Sequence, residues 1–261
     1  MARGAGPDVD EVEPVLDRRR GALGDPGDGE DLAHGRADPL GAVALPASGR
    51  QEQARRARSA MLQAAHRRFL ERGYSATTVP AVAEAAGVSV QSVYKAFGNK
   101  AALLKAVFDV AMAGDDEPVP MLQRAALGRV RDEPDPRRKL ELYGEFVAEV
   151  TPRHVPVQLL ARAAAATDPE AAGVWEQLQA ERLAGLTVFA RALHDGHLRP
   201  GVPVEEARDL LWTCNSPETY DLLVLQRGWT PERYGPLGRQ HLDRRAAALT
   251  PPGAQGVLPS R

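Results

Sequence analysis

Residues 77–104 read TTVPAVAEAAGVSVQSVYKAFGNKAALL, and two helix starts and a tight turn are legible in the first thirteen letters. Thr78 carries the hydroxyl of an N-cap, and Pro80 falls in the first helical turn, where the amide it lacks has no intrahelical partner. Val79, Val82, Ala83 and Ala86 then recur at i, i+3, i+4 and i+7, an apolar face of mostly small side chains that lets a neighbouring helix come close. Gly87 stands where a helix ends in the left-handed conformation, Val88 can pack back on it, and Ser89 caps the next helix. Two short helices joined by a turn of about three residues make a helix-turn-helix, which presents its second helix to the major groove of DNA.

In that second helix Val93 and Phe97, at i and i+4, point inward. Val90, Gln91, Ser92, Tyr94 and Lys95 are left outside. The set combines an apolar contact, an amide able to bond a base edge, a hydroxyl, an aromatic ring and a cation, which is the chemistry of groove and phosphate recognition. Upstream, residues 53–72 form a helical pattern through Met61, Leu62, Ala65 and Phe69, closed by Gly73. Downstream, Leu103, Leu104, Val107, Phe108 and Ala111 continue the pattern to Gly114-Asp115-Asp116, where a domain boundary is expected.

Charge is distributed to match. The 261-residue chain carries a formal net charge of −2, yet residues 50–108 hold ten Lys and Arg against three Glu. Residues 1–49 hold five Arg against ten Asp and Glu. A basic island in an acidic chain is the footprint of a nucleic-acid surface, although a solvated helix face produces the same count. Residues 1–49 lack apolar period and are expected to be a disordered acidic tail, with a misassigned start codon as the rival reading. A single cysteine, Cys214, excludes an intramolecular disulfide and a cysteine-built metal centre. No stretch reaches about 18 uninterrupted apolar residues, so a membrane span is not expected and the cytoplasm is the expected compartment.

Beyond residue 117 the pattern is helical, punctuated by Pro and Gly, without a strand. Helices are expected over 119–131, 136–150, 155–166, 169–195, 204–227 and 231–249, with a kink or restart at Ser216-Pro217. Residues 251–261 are expected to be a disordered tail.

The quoted stretch, with AAHRRFLERGYSA before it, resembles the N-terminal DNA-binding domain of the tetracycline-repressor (TetR) family of bacterial transcription regulators. The resemblance runs from about residue 58 to residue 104 and rests on G-Y-x-A-T-T, A-x-A-A-G-V-S, V-Y-x-x-F and N-K-x-x-L in order. LRPGVPVEEARDLLW and SPETYDLLVLQRGWTPERY are also similar to a segment common in family members. The resemblance implies an all-α fold: a helix-turn-helix domain at 50–113, then a larger helical ligand-binding and dimerisation domain at 117–250. It implies a homodimeric repressor on a palindromic double-stranded DNA operator, released by a small-molecule effector, associated with the nucleoid and needing no cofactor. By position, Val90, Gln91, Ser92, Tyr94 and Lys95 match the groove-facing set, while Lys100 and Thr78 match phosphate contacts. Pro80 departs from the pattern, since many members carry Arg there. Arg55, Arg56 and Arg58 precede the match and fit either a phosphate-tracking arm or a solvated helix start.

In the second domain Tyr143, Phe146, Trp175, Phe189 and Trp212 fit an apolar ligand pocket or a plain core. His154, His194 and His197 do not share metal-ligand spacing on one helical face, and His66 and His241 lie far away, so no metal site is expected. Leu210, Leu211, Leu222, Leu223 and Leu225 exceed what one buried face needs and fit a dimer interface or an internal core helix. Two other functional classes remain open: a ligand-independent DNA-binding regulator, and an enzyme using Cys214 as nucleophile, for which no Cys-His motif is present.

Overall fold

The computed structural model describes residues 47–117, 119, 121–195 and 202–248. The expected tails at 1–49 and 251–261 and the histidine at 197 therefore lie wholly or almost wholly outside the described residues. Every regular element among the described residues is helical, as the sequence pattern predicts. None of these helices is long and apolar enough to cross a membrane.

Helix α1 spans Ala47–Ala76 and is interrupted at Gly73 (φ 78°, ψ 166°), the expected stop, after which one further turn carries Tyr74 into the core. Helices α2 (Val79–Ala86), α3 (Val90–Phe97) and α4 (Lys100–Ala113) follow. Each of these three starts on a side-chain cap: Ala81 donates to Thr78 Oγ1 at 3.3 Å, Ser92 to Ser89 Oγ at 3.1 Å, and Ala102 to Asn99 Oδ1 at 2.7 Å. Gly87 takes the left-handed conformation (φ 67°), and the Val88 amide returns to the Ala83 carbonyl at 3.0 Å. A side chain at that φ would strain the two-helix turn.

Met61, Leu62, Phe69, Val82, Val93, Leu103 and Leu104 form the core of this unit, all below 5% exposed. The same cluster continues into Val157, Ala161, Ala171 and Leu178 of later helices. The helix-turn-helix is thus built on the C-terminal helices, and its core runs on past residues 114–116.

After a short 3₁₀ turn (Met121–Gln123), helix α5 covers only Ala125–Asp132. The longer helix expected over 119–131 does not form, because Arg124 is extended (φ −74°, ψ 145°) and is pinned by a two-point pair with Asp115 at 2.7 and 2.8 Å. In contrast, the two helices expected over 136–150 and 155–166 are one, α6 (Pro136–Ala165), with Pro152 and Pro156 inside it. Each internal proline removes a backbone bond. Burial of Val147, Val150, Val155, Val157 and Ala161 on both sides of the prolines holds the two halves in one helix.

Helix α7 spans Pro169–Asp195, as expected. The region expected as 204–227 is α8 (Val204–Cys214), a restart capped by Ser216 as α9 (Pro217–Tyr220), and a wider π-helical turn over Asp221–Gln226. The expected 231–249 helix is divided into α10 (Pro231–Tyr234) and α11 (Leu237–Ala248) at Pro236. The join touches α6 backbone to backbone: a Cβ on Gly235 would strike the Gly144 carbonyl and lie 2.9 Å from Ala148 Cβ. No hydrophobic period announces such a contact.

Candidate nucleic-acid interface and interior site

Of the five α3 residues expected to meet DNA, four are exposed. Val90 is 37% and Tyr94 48% exposed, and Gln91 and Lys95 are exposed as well. Val93 and Phe97 anchor the opposite side, at 2% exposed and half-buried respectively. Ser92 differs from its neighbours. Its hydroxyl lies 2.8 Å from that of the cap residue Ser89 and is half-buried, so the cap already engages it.

The flanking cations are held in different ways. Arg58 of α1 lies 4.6 Å over the Phe97 ring and reaches the Ala96 carbonyl at 3.5 Å, which places a guanidinium at the C-terminal end of α3. Lys100 donates to the Tyr74 carbonyl at 3.0 Å and sits 4.0 Å over the Tyr74 ring. Its ammonium keeps further protons for an anion. Arg55 and Arg56 share the single carboxylate of Glu52 at 2.9 and 3.0 Å, which holds that carboxyl below its usual range. Such exposed pairs contribute little and exchange readily for another anion. Thr78 spends its oxygen on the Ala81 amide, while its own proton remains free to donate.

The interior of the C-terminal helices brings together four of the five expected pocket aromatics. Tyr143 stacks on Phe189 with centroids 4.1 Å apart, Phe146 lies 6.2 Å from Tyr143, and Trp212 packs in the same cluster as Tyr143 and Phe189. Trp175 is half-buried on α7 and belongs to neither of the clusters that hold the other four. Asn215 donates to the Tyr143 hydroxyl at 3.1 Å, and burial pushes that hydroxyl up to about 12.

The pattern reading missed one residue here, Arg182. Its guanidinium lies 3.4 Å over the Trp212 ring, Nη1 donates to the Trp212 carbonyl at 2.8 Å and Nε to Gln179 at 3.3 Å. Removal from water pulls its pKa down to about 10. A signal was available: Arg182 interrupts the α7 stripe whose buried members are Leu178, Leu186 and Leu193.

Other candidates are ordinary. Cys214 is buried, and burial raises its thiol, the opposite direction from that of a nucleophile. His154 is buried with Nδ1 2.9 Å from the Val150 carbonyl, edge-on to Phe108 at 5.5 Å, and desolvation pushes it down to about 4. Among the described residues no cluster of His, Cys, Asp and Glu could hold a metal ion.

Comparison with known proteins follows this division. Residues 61–107 match the model of the bacterial regulatory proteins, tetR family. The chain is 34% identical over 110 residues to the HTH-type transcriptional regulator TtgR of Pseudomonas putida, a match covering 40% of this chain and 50% of TtgR. The helix-turn-helix segment of this chain is of the tetR-family type. The matched segment spans half the length of that curated relative.

Two solved structures share the wider fold. NalD of Pseudomonas aeruginosa, described as the secondary repressor of the MexAB-OprM multidrug efflux pump, aligns with a TM-score of 0.57 at 22% identity, over 75% of this chain and 96% of NalD. FadR of Bacillus subtilis, solved with stearoyl-CoA, aligns with a TM-score of 0.55 at 17% identity, over 74% of this chain and 99% of FadR. In this chain, as in those folds, helices continue well beyond the helix-turn-helix.

Three contacts tie α4 to the C-terminal helices. Buried Lys105 bridges Asp109 at 2.6 Å and Glu181 of α7 at 3.1 Å. Arg153 of α6 donates to the Ala111 carbonyl at 3.2 Å, and Phe108 meets His154 edge-on. The leucines expected at a dimer interface divide. Leu211 is fully buried in its own chain and Leu210 half-buried beside it, so both are core, because α8 packs its apolar face against α7. Leu223 packs half-buried against the third cluster, while Leu222 and Leu225 stay 56% and 54% exposed.

Proposed function

We propose that this chain is a homodimeric transcriptional repressor that binds a palindromic operator through α3 and is released by a small-molecule effector held among its C-terminal helices. The observation that carries the reading is the capped helix Val90–Phe97 with Val90, Gln91, Tyr94 and Lys95 exposed along it. Tyr94, Gln91 and Val90 would read base edges and methyl groups. Lys95, Lys100, Thr78, Arg58, Arg55 and Arg56 would meet phosphates and set register. Exposed Leu222 and Leu225 would join the partner subunit.

Release follows from the contacts of α4. An effector that shifts α6 or α7 moves helices tied to α4 by the Lys105–Glu181 pair and the Arg153–Ala111 bond. In a dimer the two recognition helices must stay about 34 Å apart to enter successive major grooves, so a small rotation suffices to disengage them. Only differential affinity for the two arrangements drives the shift. NalD, described as a repressor, and FadR, solved with stearoyl-CoA, support this reading without naming the effector.

Footprinting of the purified full chain on DNA flanking its own gene, at stated salt, with the mass of the complex measured, tests it. A protected palindrome carrying two chains is expected. Protection of an asymmetric site by one chain would overturn the dimeric reading.

A further inference from the structure

Resting on the reading of the C-terminal half as an effector domain, we propose that the effector is an apolar molecule ending in an oxyanion, held by the Arg182 guanidinium against Tyr143, Phe189 and Trp212.

Among the described residues no carboxylate stands at ion-pair distance from Arg182, although it is enclosed enough for desolvation to dominate its titration. Glu218, the acid that acts on it most, is held by Arg162 at 2.8 Å. The Trp212 carbonyl lies in the last turn of α8, whose dipole supplies only about half a negative charge. A cation kept out of water without a full counter-charge is costly unless an anion completes the site.

Arginine carries five N–H bonds in a planar fork suited to two-point binding of an oxyanion. One goes to Gln179 and one to Trp212, and the other three have no acceptor among the described residues. Tyr143, which interacts electrostatically with Arg182, accepts from Asn215 and keeps its own proton to donate.

Tyr143 and Arg182 are both half-buried, so each keeps surface that a ligand can reach. Beside the guanidinium, Tyr143, Phe189 and Trp212 would stack on or wrap an apolar body while the fork takes the head group. Glu181, which pairs with Lys105 of α4, is the residue next to Arg182 on α7, so the anion would act on the turn that touches the DNA-binding helices.

The test compares two probes with the full chain: anilinonaphthalene sulfonate and phenylnaphthylamine, which has the same ring body and no anion. Binding is read by emission sensitised from tryptophan, and Trp212→Phe should diminish that signal for both probes. The sulfonate is expected to bind more tightly, and Arg182→Gln, checked for folding by its melting curve, to weaken it about tenfold to a hundredfold while leaving the neutral probe unchanged. Tyr143→Phe should weaken the sulfonate alone by a few-fold, which keeps the inference open to refutation should Arg182→Gln fail to fold. Equal affinity for both probes, or a sulfonate indifferent to these substitutions, overturns the anion inference and leaves the effector domain standing. Binding of neither probe, or a signal unaltered by Trp212→Phe, overturns both.

Discussion

Lys95 on α3 and Arg182 on α7 carry the same charge in opposite surroundings. Lys95 stands in water, where its charge is screened beyond about 8–10 Å and costs nothing to keep. Arg182 is largely out of water, stacked on an indole and bonded to a helix end, where each unit of charge acts more strongly and needs a partner. The first arrangement suits a long, repetitive polyanion met at the surface. The second suits a small anion taken inside.

The comparison can be broken at the scaffold first. If the interior region depends on the close approach of α6 to the α10–α11 join, Gly235→Ala should cost about 3 kcal/mol or prevent folding, read by thermal or denaturant unfolding. A near-neutral result would show that the join moves freely.

Acid tests the same interior. His154 has its folded pKa depressed to about 4 from an ordinary 6.5, so the unfolded chain takes up a proton that the folded chain refuses. Stability is expected to be complete above pH 6.5 and to fall towards pH 4 by up to about 3 kcal/mol. Unfolding curves across that window should show the slope, and His154→Gln should flatten it.

On the surface, Tyr94→Ala and Lys95→Ala should each weaken DNA binding about tenfold by gel shift, with no change in sedimentation. Lys95→Ala should also reduce the salt slope by about one, whereas Tyr94→Ala should leave it unchanged. Identical salt slopes would remove Lys95 from the phosphate contacts. The smallest effect is expected at Arg55, already shared with Arg56 on Glu52: Arg55→Ala should alter stability by less than about 0.5 kcal/mol.

The helix-turn-helix could be read because its signals are local. Caps at Thr78 and Ser89, the left-handed Gly87 and the inward pair Val93 and Phe97 each involve residues a few positions apart, and all occur as read. The C-terminal helices were less legible. Pro152 and Pro156 look like a boundary, yet the valines around them are buried on both sides and the helix runs through. Leu211 looks like surplus apolar surface and is instead core, because its partners lie far away in sequence.

The letters alone were enough for the all-helical class, the position of the two-helix turn and the exposed face of α3, since caps, glycines and helical periodicity act within one or two turns. Which aromatics gather round Tyr143, that Arg182 lies enclosed beside them, that Gly235 meets Gly144, and that Glu181 reaches Lys105 were decided only by tertiary structure. These contacts join residues tens of positions apart, and the burial that gives a charge or a glycine its meaning exists only once the helices have packed.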